Sequence, residues 1–183
     1  MSDKKRTEIA ELGEFGLIDE LTKGLEPQNK RTLRGVGDDA AVIAAGRDDA
    51  IVISTDSLLE GVDFDLTYFP LKHLGYKAVT VGVSDILAMN ATPEQIMISL
   101  GVSSKLPVEA LKDLYEGIEF ACKEMEVDLV GGDTSASMTG LVINITTIGR
   151  AKRKAISYRS GAQLNDLICI TGDLGSAYMG LSL

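Results

Sequence analysis

Four aspartates carry the chemistry this sequence can offer: Asp39 in GDD, Asp56 in STD, Asp85 in SDI and Asp133 in GGD. Three of them stand where a strand should meet a turn, a common binding position in α/β folds. Asp85 differs, because it sits in VTVGVSDILAM, a helical stretch apolar around most of its circumference. A bare carboxylate there is costly to bury. Either it meets a cation or a donor network, or it pairs with Lys77 or a backbone group, and the spacing leaves both open. Convergence of all four acids would require a divalent cation, since two carboxylates about 4 Å apart repel by about 4 kcal/mol at an effective dielectric near 20. Oxygen ligands favour Mg²⁺, Mn²⁺ or Ca²⁺ over zinc. The single histidine, His73, excludes a multi-histidine zinc site and is expected in a solvated first helical turn.

Glycine turns at 35–37 and 131–132 can bring backbone N–H groups close to phosphate, although either also serves as an ordinary turn. No GxxxxGK[ST] occurs, so the chain is not a P-loop enzyme. No GxSxG and no Cys–His pair is present to make an activated nucleophile. Phosphate chemistry on this chain would therefore rest on metal ions and backbone, acting by positioning and charge neutralisation.

The elements that must hold these residues alternate in type. Phe15, Leu17, Ile18 and Leu21 have helical spacing, with Gly24 as a stop. GVGDDAAVI (35–43) reads as a turn feeding a short strand. AIVISTD (50–56) is a continuous apolar run, the pattern of a strand buried on both faces. An irregular loop follows at 60–71, then a helix from Leu74 to Ala91 and a strand from Gln95 to Val102. Pro107 opens a helix whose apolar face is Leu111, Leu114, Tyr115, Ile118, Cys122 and Met125. Strands are expected at 127–135, 141–151 and 166–175. The order gives an α/β fold with a mixed sheet and helices on one face.

Composition narrows the partners. With 18 basic and 27 acidic side chains, the net charge of −9 argues against a nucleic-acid backbone, whose binders concentrate Lys and Arg. Cys122 and Cys169 each lie in an apolar segment with no CxxC spacing, and both read as reduced core residues. The N-terminal MSDKKRTEIAELGEF has no apolar stretch behind its basic residues, and no window approaches the roughly 18 apolar residues that span a bilayer. A cytoplasmic protein without a membrane partner is the expectation.

GVGDDAAVI, STDSLLEGVDFDL, KAVTVGVSDILAMNATP, VGGDTS, TTIGRA and RSGAQLNDLICITGDLGSAYMGL resemble, in order and spacing, the successive blocks of the thiamine-monophosphate kinase family. The resemblance runs from Gly13 to Leu183. It implies a superfamily α/β domain, shared with aminoimidazole ribonucleotide synthetase, that pairs its sheet with a second copy in a homodimer. It implies Mg²⁺ ligation by Asp39, Asp56, Asp85 and Asp133, with Ser54 and Thr55 as oxygen ligands beside them. It assigns ATP contacts to Gly132, Arg159 and Tyr115, the last of which also fits a helix core face. Asp63 falls where the family often has histidine, beside thiamine monophosphate. It further implies residues 1–150 as an ATP/Mg-binding domain and 151–183 as the start of a second, truncated domain. SAYMGL opens a helix just before Leu183, so a piece of a longer protein, inactive alone, is expected.

The reaction so implied is direct transfer of the γ-phosphoryl group of ATP to thiamine monophosphate. Two other readings remain at this stage: ATP activation of a carbonyl-type oxygen, as in the superfamily's synthetases, and a non-catalytic metal-binding dimerisation module.

Overall fold

The computed structural model describes residues 7–182. Its order is α1 (Ile9–Thr22), β1 (Thr32–Arg34), β2 (Ala41–Ala44), β3 (Asp49–Leu59), α2 (Leu71–Ala88), β4 (Thr92–Val102), α3 (Val108–Glu124), β5 (Asp128–Ala136), β6 (Val142–Lys152), a 3₁₀ turn at Arg159–Gly161 and α4 (Ser176–Ser182). The strands form one mixed sheet in the order β1-β2-β3-β6-β4-β5. Only β4 and β5 run parallel, and α3 is the crossover between them, as parallel neighbours require a long connection.

Both long helices cover one face. Along β3, Ala50, Val52, Ser54 and Leu58 are buried, while Ile51 and Ile53 are half-buried and Thr55 and Ser57 exposed. The apolar run at 50–56 is therefore buried on one face, not two; the opposite face keeps isoleucines but, among the described residues, carries no helix. On the covered face Ile96, Ile98, Ile143, Ile145, Leu74, Leu114 and Ile118 form the main core.

Glycines set how closely these layers approach. A Cβ at Gly75 would strike the Leu114 carbonyl, and one at Gly117 the Lys72 carbonyl, so α2 and α3 cross backbone to backbone. A Cβ at Gly82 would lie 2.6 Å from Thr147 Oγ1 and 2.8 Å from Ile145 Cγ2, so α2 rests directly on β6.

Three further expectations need correction. Asp56 and Asp133 lie within β3 and β5 rather than where a strand meets a turn, because both strands run on past the acids in ladder pairing. Residues 166–175 form no strand; Leu167 and Ile168 are 89% and 96% exposed, and no neighbouring strand among the described residues offers a ladder. Cys169, expected in a core, is exposed with them, whereas Cys122 is half-buried. Residues 153–159 instead fold back on the body: Ser157 N donates to Met89 O at 3.1 Å, and Asn90 Nδ2 to Ala155 O at 2.8 Å. No described helix is long and apolar enough to cross a membrane.

Candidate functional site

The contact of Gly82 with β6 aims the next helical turn at β3. Asp85 lies there, and Ser54 Oγ donates to its Oδ2 at 2.6 Å. Lys77 is not its partner: Lys77 Nζ donates to the Asp63 carbonyl at 2.6 Å and lies over the Phe69 ring. Two residues beyond Ser54 on the same face of β3 stands Asp56. Its Oδ2 is buried without a hydrogen-bond partner. Burial pushes the Asp56 carboxyl above its ordinary range, and the charge of Asp85 adds to the rise. A buried polar atom of this kind needs an explanation, and a bound cation is one.

Asp39 approaches from the loop before β2. Its Oδ1 accepts from Arg159 Nη2 at 2.6 Å and Nε at 3.2 Å. The Arg159 hydrogen bond holds the Asp39 carboxyl below its usual range, against partial desolvation. Arg159 is in turn held more firmly protonated, chiefly by Asp39, with smaller contributions from Asp38 and Asp85. Asp39, Arg159, Asp85 and Asp56 thus share one electrostatic neighbourhood, with Ser54 as its hydroxyl.

Asp133 lies elsewhere. It is in register with Ser99 on β4, which pairs Asn144 on β6, which pairs Ser57 on β3. Three strand spacings of about 4.8 Å separate it from β3, roughly 14 Å in all. The four acids do not converge within one chain, because the sheet inserts β6 and β4 between the strands that carry Asp56 and Asp133. Among the described residues, no group of three or more His, Cys, Asp or Glu closes into a metal cage.

Asp133 instead lines an open groove of about 560 Å³ with Tyr115, Gly132, Val130 and Ile98. Tyr115, expected on the apolar face of α3, is 38% exposed. A Cβ at Gly132 would run into the Ile98 carbonyl, so only glycine lets β5 lie this close to β4. Thr55 alternates to the uncovered face, where its Oγ1 meets Thr146 Oγ1 at 3.2 Å, away from Ser54. The Asp63 carboxylate is engaged locally: Oδ2 accepts from Leu59 N at 2.8 Å and closes the turn after β3.

Two residues of the site, Asp38 and Arg34, are not among those the sequence singles out. Asp38 has a side chain with no exposure and pairs with Arg34 at 3.3 Å. Its Oδ1 accepts from the backbone N–H groups of both Asp39 and Arg159 at 3.2 Å. The doubled acid of GDD was the available signal.

Residues 37–151 match the family described as AIR synthase related protein, N-terminal domain. The chain is 37% identical over 172 residues to the thiamine-monophosphate kinase of Bacillus subtilis (strain 168), covering 94% of this chain and 53% of that protein. It is similar to the solved structure of AaThiL complexed with AMPPCP and TMP, with a TM-score of 0.83 and 34% identity over 99% of this chain and 54% of that one. A solved hydrogenase maturation protein HypE in complex with ATP matches at a TM-score of 0.52 and 25% identity, over 70% of this chain and 37% of that one. The chain spans about half the length of the relatives it matches.

Proposed function

The chain belongs to the AIR synthase related family through its N-terminal domain, and on that premise we propose that it forms the ATP- and Mg²⁺-binding part of an enzyme that phosphorylates thiamine monophosphate. The relatives named as thiamine-monophosphate kinases, and the related structure holding AMPPCP and TMP, support this reading. The observation that carries it is the Asp56 Oδ2 orphan beside Asp85, with Arg159 a short reach away on Asp39.

Asp56, Asp85 and Asp39, with the Ser54 hydroxyl, hold Mg²⁺ against the nucleotide phosphates. Thr55 belongs to this ligand set by resemblance alone, since its hydroxyl lies on the other face. Mg²⁺ supplies neutralisation of the charge on the transferring phosphoryl group. Arg159 presents a planar fork suited to phosphate oxygens. The groove of Tyr115, Gly132 and Asp133 offers an exposed ring and close backbone to the rest of the nucleotide, and Asp133 a further metal ligand. In this reading transfer goes directly from ATP to the acceptor phosphate, with the site's residues positioning the phosphates and neutralising their charge. Asp63 shapes the loop next to the acceptor through the Leu59 turn.

Residues 1–150 constitute the nucleotide-binding unit in this reading, and residues from 151 onward lead into a second unit, with Arg159 reaching back. The chain assembles as a homodimer through the uncovered sheet face, which carries Ile51, Ile53 and the 37%-exposed Met97. The test is product analysis after a version extended to the full length of its relatives is incubated with ATP, Mg²⁺ and thiamine monophosphate. Thiamine diphosphate and ADP formed together support the reading; ATP hydrolysis without a new diphosphate would exclude it.

A further inference from the structure

We propose that Arg34 is a positioning residue that holds Arg159 at the site, through Asp38 and Tyr158; this rests on the assignment of Arg159 to the nucleotide. Arg34 ends β1, a strand of only three residues at the sheet's edge. Its Nη2 donates to the Gly37 carbonyl at 3.1 Å and lies 3.3 Å from Asp38 Oδ2. Its guanidinium lies 6.0 Å from the centre of the Tyr158 ring. One side chain thus touches the residue before Asp39 in sequence and the residue before Arg159.

The sheet does not bring these two segments together. Ser157 is tied to Met89 by its backbone, but beyond it, among the described residues, every hydrogen bond from the segment to the body of the fold goes to Asp38 or Asp39. Asp38 makes the first of these, from its Oδ1 to the Arg159 N–H. A carboxylate with no exposure is stable there only with a counter-charge, and Arg34 is the cation paired with its other oxygen. Without Arg34, Asp38 loses that charge and Tyr158 its cationic neighbour. The Arg159 backbone is then released, and the fork on Asp39 loses its fixed origin.

The test uses the full chain as Arg34→Met, Arg159→Met and the double variant, read in two ways. Hydrogen–deuterium exchange reports the backbone of residues 156–162 without any ligand. Calorimetry reports the affinity for Mg²⁺·AMPPCP. The proposal expects Arg34→Met to speed exchange at 156–162 about tenfold while β3 and β6 stay protected. It expects affinity to fall about tenfold, as far as in Arg159→Met, with no further loss in the double variant, because the two act as one unit. Unchanged exchange, or losses that add, would overturn it. If Arg159→Met itself leaves affinity intact, the nucleotide assignment fails, and the exchange result alone upholds or overturns the clamp. Should Arg34→Met not fold, Asp38→Asn, which keeps the shape and an acceptor oxygen but not the charge, is read the same way.

Discussion

Ser54 Oγ donates to Asp85 Oδ2 at 2.6 Å, joining the middle of β3 to the last turns of α2 across 31 residues of sequence. This bond fixes where the Asp85 carboxylate points. Ser54→Ala leaves that part-buried oxygen without its donor, so the variant should lose about 1–2 kcal/mol of stability in urea denaturation. It should also weaken Mg²⁺·nucleotide binding, since Asp85 becomes free to rotate.

Asp56 should show the opposite balance. A raised carboxyl pKa means the folded chain holds the proton more tightly than the unfolded chain does. Its contribution to stability is therefore present below the ordinary value of 3.8 and is lost as pH rises through the raised value. At neutral pH the ionised, part-buried group opposes folding unless a cation meets it. Asp56→Asn should raise Tm near pH 7 in the absence of divalent ions, and that gain should disappear near pH 3. Added Mg²⁺ with nucleotide should stabilise the parent chain and not the variant. Turnover of the active enzyme should fall roughly 100-fold or more, the scale of losing one group that stabilises developing charge.

Gly82 sets the depth of α2 against the sheet. Its replacement by alanine puts a methyl 2.6 Å from Thr147 Oγ1 and 2.8 Å from Ile145 Cγ2, both inside the core. Overpacking of this kind costs about 1–3 kcal/mol. Because α2 must lift, Gly82→Ala should also reduce Mg²⁺·nucleotide affinity. Loss of stability with affinity untouched would show that Asp85 does not depend on this contact.

The uncovered sheet face should be an interface between two copies. Light scattering at tens of micromolar should give twice the chain mass, and Met97→Glu, which puts a charge on that face, should give a monomer. A monomeric parent chain at that concentration counts against the homodimer.

Much of this arrangement can be read from residue types, and the exceptions have physical causes. Asp85 stands out because a carboxylate in an apolar helix demands a reason, and its bond to Ser54 is part of that reason. The sequence assigns Asp56 and Asp133 to the right strands, but the structure sets both inside β3 and β5 rather than at a strand end, and residue types do not give the order of strands in the sheet. That order is set by which edges pair, and it puts β6 and β4 between them. The apolar run at 50–56 looks like a strand covered on both sides because Ile51 and Ile53 sit on the uncovered face and are still half-buried. The stretch at 166–175 has the composition of a strand, yet a strand forms only beside another. Arg34 gives no periodic signal, since β1 spans three residues and Tyr158 lies far along the chain.

The central claim is that Asp56 and Asp85 bind nucleotide through a shared Mg²⁺ ion. Calorimetric titration of the chain with AMPPCP, with Mg²⁺ and again with EDTA, tests it most directly, beside the same titrations of Asp85→Asn. Saturable binding that requires Mg²⁺ and falls at least tenfold in Asp85→Asn is the expected result. Equal binding in EDTA, or an Asp85→Asn variant that binds Mg²⁺·AMPPCP as the parent does, would contradict it.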